Sequence, residues 1–435
     1  MRVLLVIAIL QTTTAFLTAG GQCFDVCDCP LSSYQTDIDC TRRDLQTVPV
    51  FDLSPGFVLT APHRQLHLRL DDNKITEIPF GVFRNFTNFQ GYGSVQIFLD
   101  RNLISNIHNG AFLGLENLTL ELYLRDNSLT TISHEFARFR GLRELRIESN
   151  PLTATGISDD VIRQLFDNNA IRTIGISSND LLKKVMRYQH NTIENMYLFG
   201  IDETRFLPGT FLKGHHTSLK MLEIMFCGYE DFSEPLCNLD IESFIVSSSG
   251  SVHDTTLQGC PQNNTKYLSI INCLTTDALD PSAFYSAPLQ QLTLWGTMQH
   301  VPRQMLMHWP NIDWIELKGQ IQSIQKDDFE GLTKLTTLRL FENQISVVDD
   351  DAFNTNIELN FVWFRQTDAL THLPQSLKNR THLNSLLLPD MTCSCATMGN
   401  LKGGNFASVS VSGDCNNIPG TSIASYLNND VNACI

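Results

Sequence analysis

Read for apolar and polar positions, the chain repeats itself. The segments LHLRLDDNKITEI, VQIFLDRNLISNI, LELYLRDNSLTTI and TTLRLFENQISVV share one template: two apolar residues one apart, two further residues, a polar residue, then apolar residues about two and five positions on. With the polar position as phase marker, the template recurs at Asn73, Asn102, Asn127, Asn150, Asn179, Ile201, Cys227, Ser249, Cys273, Thr297, Gln320, Asn343, Thr367 and Met391, at spacings of 22 to 29 residues. Positions three and five before the marker are apolar in all 28 cases, far beyond chance for a chain that is 42% hydrophobic. Alternation at each point predicts a short strand with one buried face. A period of this length predicts that the strands stack side by side as a parallel solenoid.

The departures from the template carry their own expectations. An asparagine at the marker can satisfy backbone groups at the turn leaving each strand. It is present in six of fourteen repeats and absent from Ile201 to Gln320, so the middle of the array is expected to be less regular. Cys227 and Cys273 occupy inward markers two repeats apart. At about 4.8 Å per strand they would lie roughly 10 Å apart, too far for a disulfide, and are expected to be buried thiols. Cys237 and Cys260, ten and eleven residues after their markers, should stack on the returning side and pair. The glycosylation sequons at Asn85, Asn117, Asn263 and Asn379 all fall in returning segments, leaving the sheet bare.

In such an array the residues two and four before each marker face solvent, with those one and six before at the edges of that face. Through the first four repeats it reads Arg69, Asp71, Phe98, Asp100, Arg101, Tyr123, Arg125, Asp126, Arg146 and Glu148, expected to form a solvated ladder of small net energy. Farther along it turns apolar, with Tyr197, Phe199, Met225, Phe226, Ile245, Tyr267, Ile271, Trp295, Trp314, Phe341, Phe361 and Trp363. Three of the four tryptophans fall there. Contiguous exposed rings are costly for a soluble monomer and mark a contact surface. The competing expectation is that irregular middle repeats or a loop cover them as an extended core. The residues expected to carry partner binding are Tyr197, Phe199, Met225, Ile271, Trp295, Trp314, Phe341 and Trp363. Trp309, in a returning segment, is expected to pack on the opposite side.

Composition changes the picture in three ways. Arg2, the apolar run VLLVIAIL and the small residues Ala19, Gly20 and Gly21 follow the order of a secretory signal over residues 1–21, with a short buried helix as the alternative. Secretion would make the twelve cysteines disulfide formers, although a four-thiolate zinc site is conceivable for either terminal group of four. The net charge of −15 repels nucleic acid and anionic lipid. No apolar run beyond the first dozen residues is long enough to cross a membrane, and no anchor follows Cys434, so a free secreted protein is expected. Catalytic motifs are missing: there is no G-x-S-x-G, no phosphate-binding glycine loop and no H-E-x-x-H. His215 and His216 are expected to be a surface pair, and Asp349, Asp350 and Asp351 a solvated acidic turn. Neither enzymatic activity, a cofactor nor a metal is expected.

The repeat, with CFDVCDCPLSSYQTDIDCTRRDLQTVP near the amino end and CSCATMGNLKGG, Cys415 and Cys434 near the other, resembles the extracellular leucine-rich repeat proteins with cysteine-rich caps. That resemblance implies an α/β repeat solenoid: a curved horseshoe with a parallel sheet on the concave face and irregular or short helical convex segments. It divides the chain into an amino cap at 22–50, an array at 51–391 and a carboxyl cap at 392–435. It pairs Cys23 with Cys29, Cys27 with Cys40, Cys393 with Cys415 and Cys395 with Cys434. It implies a binding module for an extracellular protein, peptide or glycan. The texture of FGVF, AFLGL and LTLWGT is also similar to arthropod secreted leucine-rich repeat proteins of the shrimp luciferase non-catalytic subunit type, which implies instead a subunit that holds a secreted enzyme.

Overall fold

Alternating residues with a buried face form strands only where each strand finds a neighbour, and here every neighbour is the next repeat. The computed structural model describes residues 22–24, 26–28, 35–51, 65–89, 93–188, 192–201, 219–225, 241–247, 261–272, 281–365, 370–378 and 380–434. They fall in two compact units, Met1–Phe199 and Gly200–Ile435.

In the first unit, β1 (Gln22–Phe24), β2 (Cys27–Asp28) and β3 (Gln35–Asp39) form an antiparallel cap. A parallel ladder follows in strict chain order: β3 pairs with β4 (Gln65–Arg69), then β5 (Ser94–Phe98), β6 (Leu120–Tyr123), β7 (Leu142–Arg146), β8 (Thr173–Ile176) and β9 (Asn195–Phe199). Leu66, Leu68, Ile97, Leu120, Leu122 and Ile176 point inward and are fully buried. Behind them Phe83, Phe86, Phe112, Phe136 and Phe139 form a spine of touching rings.

The marker asparagines hold the turns. Asn102 Nδ2 donates to the carbonyls of Leu70, Leu99 and Asp100 at 3.0, 3.1 and 3.2 Å, while its Oδ1 accepts from the Ile75 amide at 3.1 Å. Asn73, Asn127 and Asn150 repeat the arrangement, so each turn is tied to the repeat before it. The preceding residues Asp72, Arg101, Asp126 and Ser149 take left-handed backbone with φ of 52 to 57°, a conformation closed to β-branched side chains at low energy. Asn179 departs from this ladder. It opens the helix α2 (Asn179–Tyr188), because Leu181, Leu182, Val185 and Met186 repeat at helical rather than strand spacing and all four are buried. α1 (Asp159–Asn168) precedes it in the neighbouring repeat and buries Val161, Ile162, Leu165 and Phe166.

The second unit continues the plan with β10 (Met221–Met225), β11 (Ser243–Ser247), β12 (Tyr267–Ile271), β13 (Gln291–Trp295), β14 (Trp314–Lys318), β15 (Thr337–Phe341), β16 (Phe361–Arg365), β17 (Ser385–Leu387) and β18 (Ser410–Ser412). Each is parallel to the next with no change of register. Phe284, Trp309, Phe329 and Phe353 fill the returning side, and Trp309 Nε1 donates to the Phe284 carbonyl at 2.8 Å, as its expected packing requires.

Disulfides join Cys27 to Cys40 in the amino cap, and Cys393 to Cys415 and Cys395 to Cys434 beyond the last repeats. These three are pairings that the family resemblance implied. The Cys23 side chain, Cys29, Cys227, Cys237, Cys260, Cys273, Phe226, His215, His216, Asn379 and the segment 1–21 lie outside the described residues. Among the described residues no helix is long and apolar enough to cross a membrane, and no cluster of His, Cys, Asp or Glu is arranged to hold a metal ion.

Candidate binding surface

The solvent face of the second unit's sheet is built by register. Because β13 to β16 pair without a shift, their outward side chains fall into three rows: Gln291, Trp314, Thr337 and Phe361; Thr293, Glu316, Arg339 and Trp363; Trp295, Lys318, Phe341 and Arg365. The third row alternates ring and cation from strand to strand. Strands about 4.8 Å apart bring such neighbours into contact. Lys318 Nζ stands 5.2 Å from the Trp295 ring centre. Arg365 lies 5.7 Å from Phe341 and 5.4 Å from Trp363. At the centre, the Arg339 guanidinium is 5.3 Å from Trp314, 5.5 Å from Phe361 and 5.7 Å from Trp363. Each such contact contributes roughly 0.5–1 kcal/mol at a partly exposed site.

One carboxylate fixes the pattern. Glu316 is almost fully buried on this face; its Oε1 accepts from Trp295 Nε1 at 2.9 Å and its Oε2 lies 3.6 Å from Arg339 Nη1. The Trp295 ring is thereby held in one orientation, with Lys318 across it. Lys318 is in turn paired with Glu342 at 2.6 Å. Trp363 packs edge-on against Phe341 at 4.8 Å and Phe361 at 6.2 Å between ring centres. The five rings are half-buried, open to solvent on the side away from the core.

The first unit carries a more polar face. Phe98 and Tyr123 stack at 4.5 Å, and Arg146 lies 3.5 Å from the Tyr197 ring centre, reaching across Gly175 on the intervening strand. Arg146 also bonds Glu148 at 2.5 Å and approaches Glu144 at 3.7 Å. Burial pushes the carboxyls of Glu144 and Glu148 above their ordinary range, outweighing the nearby arginine. Burial and the adjacent carboxylates Glu144 and Glu121 push the Tyr123 phenol up as well. This corrects the expectation of a solvated ladder at two positions: Asp100 and Glu148 are 2% and 3% exposed. Arg125 closes over Asp100 at 2.6 Å, and Glu148 folds into the space above Gly175. Asp71 and Arg101 do form the expected half-open ion pair, and Asp72, which the sequence reading left out, joins it through Arg101.

All eight residues singled out from sequence are half-buried on strand faces. Tyr197 and Phe199 belong to β9 of the first unit, while Met225, Ile271, Trp295, Trp314, Phe341 and Trp363 share the sheet of the second. Met225, Ile271 and Trp295 lie in one row, continuous with Lys318, Phe341 and Arg365. Sequence reasoning passed over Glu316, Lys318, Arg339 and Arg365 because it selected apolar residues. Their positions two and four before a marker are the signal that finds them. Of the sequons, Asn117 and Asn263 are exposed, and the half-buried Asn85 donates its amide to the Phe51 carbonyl at 2.8 Å.

Comparison with known proteins agrees with this architecture. A profile described as leucine rich repeat matches residues 95–152, and one described as BspA type leucine rich repeat region (6 copies) matches residues 239–399. Over 178 residues the chain is 26% identical to leucine-rich repeat-containing protein 3 of Danio rerio, covering 40% of this chain and 61% of that protein. It is 32% identical to keratocan of Gallus gallus over 145 residues, covering 32% of this chain and 38% of that protein. The chain thus spans less than two thirds of the length of either relative. The crystal structure of a TLR13–ssRNA13 complex superposes with a TM-score of 0.51 at 17% identity, covering 89% of this chain and 60% of that one, a likeness of fold. Repeat, ladder and matches together define a leucine-rich repeat protein with an α/β solenoid fold.

Proposed function

We propose that the protein is a secreted, non-enzymatic binding module that recognises an extracellular protein, peptide or glycan through the concave face of its repeat sheet. One observation carries the reading: the outward positions of four successive strands, β13 to β16, hold five aromatic rings locked in place by Glu316, Lys318, Arg339 and Arg365. Pre-ordered rings and arginines lose little entropy on binding, and such residues dominate binding energy in interfaces. Glycans on Asn85, Asn117 and Asn263 would leave this face open, since none of the three lies on a strand. The TLR13 neighbour is in complex with single-stranded RNA, but a net charge of −15 disfavours a polyphosphate here. A secreted enzyme is one kind of protein partner that the same face would hold, in keeping with the resemblance to a luciferase non-catalytic subunit.

Affinity purification of the full chain from its native fluid, followed by mass spectrometry, tests the reading. A stoichiometric partner is expected with the wild type and is expected to be lost from a folded variant carrying Trp295→Ala and Trp363→Ala. Each ring should contribute about 2 kcal/mol. Partners retained by the folded double variant would move the interface elsewhere.

A further inference from the structure

Resting on that reading, we infer that the occupant of this face is an acidic, aliphatic-containing polypeptide segment of a protein partner, with its carboxylates bound by Arg339 and Arg365. The ring faces of Trp314, Phe361, Trp363 and Phe341 are approached by guanidinium groups at 5.3 to 5.7 Å, so those rings are already engaged and the guanidinium edges are what the face offers. A ligand that stacks flat, such as a nucleobase or the apolar side of a sugar, has to displace these cations first. A ligand that brings anions does not.

The hydrogen-bonding capacity is there to receive one. Among the described residues the one ion pair of Arg339 is the long 3.6 Å contact of its Nη1 with Glu316; its Nε is buried, so the terminal nitrogens are what it offers a ligand. Arg365 is exposed and makes no ion pair among the described residues. Both guanidinium groups are oriented by rings; Arg339 shares its charge with Glu316, and Arg365 adds a cation with no ion pair among the described residues, in a chain whose overall charge is −15. Over β13 to β16 the cations Lys318, Arg339 and Arg365 stand against the carboxylates Glu316 and Glu342, one positive charge in excess at the Arg365 end; that excess is the charge complementarity an acidic segment would meet, and guanidinium forks suit carboxylates bidentately.

The neighbouring outward positions choose among anionic polymers. On the same sheet, Met221, Met225, Ile245 and Ile271 extend the face on one side and Leu387 on the other, all half-buried. Aliphatic surface beside guanidinium groups matches a polymer that carries both carboxylates and aliphatic groups. Polypeptide does; RNA and sulfated glycans carry charge without aliphatic side chains.

The test uses the full chain and three probes: poly-L-glutamate, heparan sulfate and poly-uridylate, each titrated against wild type, Arg339→Gln and Arg365→Gln, with circular dichroism to establish folding. Poly-L-glutamate is expected to bind the wild type and to weaken at least about tenfold in each folded variant, the loss of a charge-assisted hydrogen bond. Arg365→Gln changes an exposed side chain and keeps the test open if Arg339→Gln fails to fold. An interaction with poly-L-glutamate that is absent or unchanged in the variants would overturn the inference. So would heparan sulfate or poly-uridylate binding that depends on the two arginines while poly-L-glutamate does not bind. If native partner capture still requires Trp295 and Trp363 in that case, the binding-face reading stands without the acidic segment. If capture is indifferent to both pairs of substitutions, the binding-face reading itself falls.

Discussion

A Cβ on Gly175 would stand 2.1 Å from the Glu148 carboxylate, so the absence of one side chain there sets the position of three others. Glu148 folds over the glycine, Arg146 bonds Glu148, and the same guanidinium reaches Tyr197 beyond it. Gly175→Ala is therefore expected to cost about 1–3 kcal/mol through overpacking, read as a lowered thermal midpoint of the full chain; an unchanged midpoint would mean the carboxylate moves freely. The burial that raises Glu144 and Glu148 gives a signed pH dependence. Their folded pKa values lie above the ordinary 4.5, so acidification through the raised values adds stability, complete below 4.5. Asp72 acts oppositely: the Arg101 hydrogen bond lowers it below 3.8, and its contribution, full above 3.8, fades as pH falls through the lowered value. Urea midpoints taken from about pH 7 to about pH 4 should show Glu148→Gln gaining less on acidification than wild type. Equal gains would contradict the assignment.

Strand by strand, the array depends on the bond-saturated asparagine at the turn. Asn102→Ala removes four hydrogen bonds and strands buried backbone groups, an expected loss of roughly 3 kcal/mol in chemical denaturation. Asn179→Ala, at the start of α2, should cost less than about 1 kcal/mol. Similar losses at the two positions would mean the ladder is not what the turns rely on. This contrast also marks how far sequence alone reaches. The strands from Gln65 to Arg365 were legible because alternation and marker coincide in each repeat. At Asn179 the same letters open a helix, since the apolar pairs that follow obey a 3.6-residue period. The cap disulfides came from family resemblance, because cysteine spacing does not specify connectivity. The candidate face was half legible: rings announce themselves by cost of exposure, whereas Arg339 and Arg365 read as ordinary solvated charge until register sets them between the rings.

At the scale of the whole molecule, stacking repeats converts one outward position per strand into a row, so the candidate face presents rows of side chains rather than a pocket. In the second unit those rows carry Trp295, Trp314 and Trp363, while Trp309, the fourth tryptophan of the chain, is buried behind the sheet at 1% exposure. That distribution makes the central claim directly measurable by acrylamide quenching of tryptophan fluorescence on the intact protein, before and after addition of its purified partner. The account predicts that the free chain shows a quenchable population from the three face tryptophans and an unquenched one from Trp309, and that saturating partner protects the first. Face tryptophans that resist quencher in the free chain, or that are quenched equally with partner bound, would contradict it.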